Sequence, residues 1–219
     1  PILYAADFDW DQAPVITFSG PNLLWSSRSK LLKHAVGVFE KLNSMEYSAT
    51  YSKAVSQLSI DQFILDNPVL KDIRRVCEYH LTEYVKNVCG FDNEFYITNS
   101  WITRNDPNVN HVGHAHPNSI FSGCLYLKSS PKSIMTFSAK NHFAKTWPFT
   151  YNDVCPNIYN SDNWPVLVDT GAILIWPSDI QHGSNPNPLN DTRVVLCFNT
   201  FIRGDLGKSR SYVTDLTLK

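Results

Sequence analysis

Apolar positions along the chain change period near residue 90. Before it, apolar side chains recur every three or four residues; after it they alternate with polar ones, so helices are expected first and short strands afterwards. From about Ser27 to Asn43, Leu31, Leu32, Ala35, Val38, Phe39 and Leu42 form one stripe, which predicts a first helix. Asn67 as cap, Pro68 at the first helical position, then Val69, Leu70, Ile73, Val76, Cys77, Leu81, Tyr84, Val85 and Val88, with Gly90 as stop, predict a second helix of roughly twenty residues. Between them Ser59-Ile60-Asp61-Gln62 resembles a capping box that opens a short helical turn. Ahead of the first helix, residues 1–26 read as an edge or cover segment, with Val15-Ile16-Thr17-Phe18 as a short strand before the turn at Ser19-Gly20-Pro21-Asn22.

Beyond Gly90, Phe95 to Thr103 alternates as a strand. Further β-type runs fall at about 119–127, 133–138, 166–168, 172–176 and 192–203, separated by Asn-, Pro-, Asp- and Ser-rich stretches at 105–110, 152–165 and 183–191. In the second of these strands Ser122, Cys124 and Tyr126 share one face, and Phe121, Gly123, Leu125 and Leu127 the other. In the last, Arg193, Val195, Cys197 and Asn199 lie opposite Val194, Leu196 and Phe198. Helices followed by many short strands predict an α+β chain in which N-terminal helices brace an antiparallel β-sandwich or jelly roll. One domain covers 1–219, with a helical and cover portion at 1–92, a β core at 93–203 and a tail at 204–219; no repeat or linker divides it.

The 219 residues carry 19 basic and 20 acidic side chains, which gives no reason to expect a nucleic acid or an anionic membrane as partner. Cys77, Cys89, Cys124, Cys155 and Cys197 are odd in number and lack a Cys-x-x-Cys pair, against a disulfide framework or a thiolate zinc cluster. With no long apolar run and no signal-like start, a cytoplasmic protein is expected.

The chemistry lies in two separated stretches, His114-Ala115-His116 and Pro177 to His182, with Arg193 eleven residues after the latter. On an extended segment His114 and His116 point the same way, and a third imidazole from a later strand would complete a facial metal site. Arg193 would add a planar fork of donors suited to a carboxylate. A metal and an acidic cosubstrate in one pocket are therefore expected.

The run His114-Ala115-His116-Pro117-Asn118-Ser119 leading into Ser122-Gly123-Cys124-Leu125-Tyr126-Leu127, then Gly171 to His182, then Arg193 to Phe201, resembles the iron(II)/2-oxoglutarate-dependent oxygenase superfamily over roughly residues 98–202. The resemblance implies a double-stranded β-helix, the cupin-like jelly roll. It implies His114, His116 and His182 as ligands of Fe(II), and Arg193 as anchor of the distal carboxylate of 2-oxoglutarate, with Tyr126 or Ser122 adding a hydrogen bond. The implied reaction consumes molecular oxygen, decarboxylates 2-oxoglutarate to succinate and hydroxylates a small-molecule or peptidyl substrate. Two departures stand out: His116 replaces the usual carboxylate ligand, and Val195 stands where relatives place a hydroxyl after the arginine.

Other residues have structural readings. His111 falls on the opposite strand face from His114, His80 on the apolar face of the second helix, and His34 and His142 in packing or surface positions. Asp106 and Asp179 would be substitute ligands if His116 turned outward, and Arg193 could pair with Asp191. Trp101, Trp147, Trp164 and Trp176 are expected in the core or at the rim, and the segment from Asn141 to Trp164 at the mouth. Two other functions fit parts of the pattern: a cupin-like three-histidine protein that does not use 2-oxoglutarate, and a non-catalytic β-sandwich interaction protein.

Overall fold

The alternation after Gly90 is realised as two antiparallel sheets laid face to face. The computed structural model describes residues 25–28, 45–48, 56–138, 162–207 and 216–218. Its strands are β1 (Trp25–Arg28), β2 (Gln57–Leu58), β3 (Glu94–Asn105), β4 (His111–His114), β5 (Phe121–Lys128), β6 (Ser133–Ser138), β7 (Asn163–Val168), β8 (Ala172–Pro177), β9 (Gln181–Ser184), β10 (Arg193–Leu206) and β11 (Leu216–Leu218). The larger sheet runs β1-β8-β5-β10-β3-β2 with β11 added to β10, and the smaller runs β4-β9-β6-β7. Counted from β3 to β10, the first, eighth, third and sixth strands lie in one sheet and the second, seventh, fourth and fifth in the other, the order of a double-stranded β-helix.

The period-2 pattern decides what each face of the larger sheet meets. Cys124, Tyr126, Leu174, Trp176 and Val195 face the smaller sheet and pack with Met135, Phe137, Val166 and Val168. The alternate residues Phe121, Leu125, Leu127, Ile173, Leu196 and Phe198 face outward into a second cluster with Ile73, Cys77, Leu81 and Tyr84. Each such side chain fully removed from water contributes about 1.5–3 kcal/mol, so the helical layer is needed to cover that face.

The helical layer starts as expected. Asn67 Oδ1 accepts the Val69 N–H at 3.1 Å, and Pro68–Leu70 forms a 3-10 turn leading into α1 (Lys71–Glu83). A π-helical turn, Tyr84–Val88, follows and ends before Gly90 at φ +69°. Ile73, Val76, Cys77, His80 and Leu81 are buried, whereas Val69, placed by periodicity on the same stripe, is 51% exposed. The 3-10 turn rotates it away from the face that the following α-helix buries.

Two other expectations change. Ser27 does not open a helix, because Trp25–Arg28 pairs with Ile175–Ala172 as a strand on the edge of the larger sheet; residues 29–44 lie outside the described residues. Ser59 is not a helix cap. Its hydroxyl accepts the Ile102 N–H and donates to Asp61 O, tying it to β3, and Asp61 Oδ1 instead accepts the Phe63 N–H ahead of a 3-10 turn at Ile64–Asp66. The strand expected at Val15–Phe18, His34, His142, Trp147 and Cys155 also lie outside the described residues. The four described cysteines are free thiols. Among the described residues no helix is long and apolar enough to cross a membrane.

Candidate active site

His114 and His182 are direct cross-strand partners at the end of the smaller sheet, their ring centroids 4.4 Å apart. The chain leaves β4 after His114, and His116 reaches across to the larger sheet, its own N–H donating to Ser178 O at 2.9 Å. Pro117 presets one turn dihedral and Asn118 takes φ +57°, a left-handed conformation that asparagine tolerates. The turn sends the chain back into β5. As a result three imidazoles from two strands and a turn meet, each offering one nitrogen within 4.8 Å of the others.

Their tautomers follow from their partners. His114 Nδ1–H donates to Val112 O and His182 Nδ1–H to Ile180 O, both at 2.9 Å. His116 Nδ1–H donates to Asn199 Oδ1 at 2.6 Å, with Ser122 Oγ 3.0 Å away. With the protons on Nδ1, all three Nε2 atoms carry lone pairs, and those of His114 and His116 stand 3.0 Å apart. Ligands about 2.1 Å from an octahedral ion are separated by about 3 Å on adjacent positions, which is the spacing of the His114 and His116 nitrogens, and the third donor, from His182, lies within 4.8 Å of them. Burial depresses the pKa of His116, with Asn199 opposing, and pushes His182 down to about 3, with Ile180 O opposing, so both are neutral at neutral pH.

The imidazoles line one end of a cleft enclosing about 500 Å³ of empty space, its solvent-open mouth included, whose lining also includes Arg193, Tyr126, Trp101, Trp176, Cys197 and Ser184. Arg193 opens β10 and is 1% exposed. Its Nη2 donates to Ser184 Oγ at 2.6 Å and to Asn185 O at 3.2 Å, and Nη1 to Asn185 Oδ1 at 3.4 Å. Asp191 is bound instead to Lys128. Among the described residues no carboxylate pairs with Arg193, and burial lowers its pKa, opposed by Tyr126. Tyr126 is buried and donates to Met135 Sδ, at 3.4 Å.

Several expected positions change. Ser122 does not line the cavity. It sits behind His116, paired across strands with Asn199, while Tyr126 pairs with Val195 nearer Arg193. His111 lines the cavity, contrary to simple alternation. Four residues of β4, His111 to His114, span three of β9, Ser184 to His182, and that bulge returns His111 to the face of His114 with centroids 4.7 Å apart. His116 faces inward, and neither Asp106 nor Asp179 joins the cluster. Ser184, Asn185 and Asn199 were missed as partners. Ser184 follows His182 at the period of a strand face, a signal that could have been read; Asn199 required the register of β5 with β10.

Residues 99–199 match the model of the family described as "Putative 2OG-Fe(II) oxygenase". No curated protein matches the chain. Among solved structures, the chain is similar to the non-heme alpha ketoglutarate dependent epimerase SnoN from nogalamycin biosynthesis (TM-score 0.60, 11% identity, 86% of this chain and 82% of that one). It is similar to HygX from Streptomyces hygroscopicus, with nickel and 2-oxoglutarate bound (0.56, 11%, 81% and 82%). A prolyl-4-hydroxylase from Pseudomonas putida gives 0.53 at 10% identity, over 82% and 91%. At these identities the structural likenesses show the shared double-stranded β-helix. With the family match over residues 99–199, a little under half of the chain, and the shared fold, the chain is similar to the iron(II)/2-oxoglutarate-dependent oxygenases, oxidoreductases that use Fe(II) and 2-oxoglutarate.

Proposed function

We propose that this oxygenase hydroxylates a C–H bond of its substrate, holding Fe(II) through Nε2 of His114, His116 and His182 and anchoring 2-oxoglutarate on Arg193. The observation that carries this reading is a guanidinium 1% exposed, without a carboxylate partner among the described residues, in the same cavity as three imidazole lone pairs. A buried cation without a counter-ion costs several kcal/mol. A dianion with one end at the imidazoles and the other at Arg193 offsets that cost.

Fe(II) with 2-oxoglutarate supplies the coupled oxidation: one oxygen atom of dioxygen enters succinate as carbon dioxide leaves, and the other enters the substrate C–H bond. The chain's part is positional. The carbonyls of Val112 and Ile180 and the amide oxygen of Asn199 hold the imidazoles with Nε2 presented. Ser184 supplies beside Arg193 the hydroxyl that Val195 cannot. Tyr126 O–H, whose acceptor is a thioether, is available to the same carboxylate. The walls made by Val195, Cys197, Cys124 and Trp101 exclude water around the reacting atoms. Ser122 is reassigned from the cosubstrate to the support of His116.

Substitution separates this reading from a three-histidine protein without a 2-oxo acid. His182→Ala is expected to abolish iron binding, measured as metal content after reconstitution. Arg193→Ala is expected to keep iron and lose 2-oxoglutarate binding. Equal loss of iron in both, or undiminished 2-oxoglutarate binding by Arg193→Ala, contradicts the assignment.

A further inference from the structure

Trp176 has an indole N–H that nothing in the described structure accepts. The residue is 2% exposed, lines the cavity, and its Nε1 has no hydrogen-bond partner. A donor buried in this way costs about 1–3 kcal/mol unless a ligand satisfies it. Its neighbours cannot do so. The His182 ring lies 4.6 Å from the indole, but its Nδ1 is itself a donor and its Nε2 lone pair faces the other imidazoles. The Phe137 ring, 5.3 Å away, has no acceptor atom.

Its place in the sheet says which end of a ligand it would meet. Trp176 is the cross-strand partner of Ser122, whose hydroxyl touches His116, so it stands at the level of the three imidazoles. Tyr126, four residues further along β5, pairs with Val195 at the Arg193 end. The cavity thus has donors at both ends: Arg193 and Tyr126 at one, Trp176 at the other.

We propose that Trp176 is a positioning residue for the cosubstrate, its indole N–H donating to an oxygen at the metal-chelating, 2-oxo acid end of 2-oxoglutarate. This inference rests on the cosubstrate reading above. The Nε1–H bond has no role in electron or group transfer. It restricts rotation of the chelating end against His182 and satisfies a buried donor in the same step.

The test uses Trp176→Phe, which keeps an aromatic ring in the wall and removes only the donor and part of its volume. Anaerobic titration of the Fe(II)-loaded protein is expected to show 2-oxoglutarate binding about tenfold weaker than in wild type, as for loss of one hydrogen bond to a charged oxygen. Iron affinity should be unchanged. In the 15N-labelled, Zn(II)-loaded wild type, the indole signal absent from Trp176→Phe, one of six tryptophans, is expected to move downfield when 2-oxoglutarate is added. An unmoved signal together with wild-type affinity in Trp176→Phe overturns this inference and leaves the cosubstrate reading standing. Absence of 2-oxoglutarate binding by the wild type overturns both.

Discussion

His114 and His116 bring their Nε2 atoms to 3.0 Å from one another while each Nδ1–H is committed to an oxygen, Val112 O in one case and Asn199 Oδ1 in the other. Two lone pairs at that separation repel unless a cation lies between them. The replacement of a carboxylate by His116 thus still leaves a donor set for a divalent ion, made of neutral nitrogens and supported by an amide from β10.

Asn199 is therefore expected to matter for metal affinity. Asn199→Leu removes the acceptor for His116 Nδ1–H and should weaken metal binding by about 10–100-fold, measured by competition with a chelator. Ser122→Ala, which removes the more distant contact, should have the smaller effect. Wild-type affinity in Asn199→Leu would show that the ring is held by packing alone.

Gly183 permits the pairing of β4 with β9. A Cβ there would lie 2.9 Å from His111 O and 3.1 Å from Gly113 N, both backbone atoms that cannot swing away. Gly183→Ala is expected to destabilise the fold by about 1–3 kcal/mol and to weaken metal binding by shifting His114 against His182. Gly113→Ala meets nothing within 4 Å and serves as the control. Thermal unfolding and metal titration of the two variants check this directly.

His80 sets an acid limit remote from the site. Burial lowers its pKa from 6.5 to about 4 in the folded protein. Between those values the unfolded chain takes up a proton that the folded chain refuses, so stability falls as pH drops below 6.5. The loss reaches about 3 kcal/mol by pH 4. Urea unfolding of wild type and His80→Gln from pH 7 to pH 4 should show a gap that narrows by that amount as pH falls, since contributions common to both cancel. A gap independent of pH would contradict a neutral, buried His80.

How much of this was legible in the chain follows from range. Alternation assigned Cys124 and Tyr126 to one face of β5 and Phe121, Leu125 and Leu127 to the other, and the two clusters divide along that line. The side chain depends on its own neighbours there, and so the pattern suffices. Asn67, Pro68 and Gly90 bounded the helical segment for the same local reason. His111 was misplaced because a bulge is a property of the β4–β9 pair and not of β4. Asn199, Ser122 and His116 meet across 77 and 83 positions of sequence, and only the register of β5 with β10 brings them together. Ser27 and Arg28, expected to open a helix, instead complete the strand Trp25–Arg28, because pairing with β8 outweighs a weak local preference.

The central claim is that three imidazoles and Arg193 together bind a chelated 2-oxo acid. Its most direct test is anaerobic addition of Fe(II) and then 2-oxoglutarate to the metal-free protein, with visible absorption recorded at each step. The account predicts the metal-to-ligand charge-transfer band of a chelated 2-oxo acid in the wild type, lost in Arg193→Ala while iron remains bound. Iron bound without any such band in the wild type would contradict it.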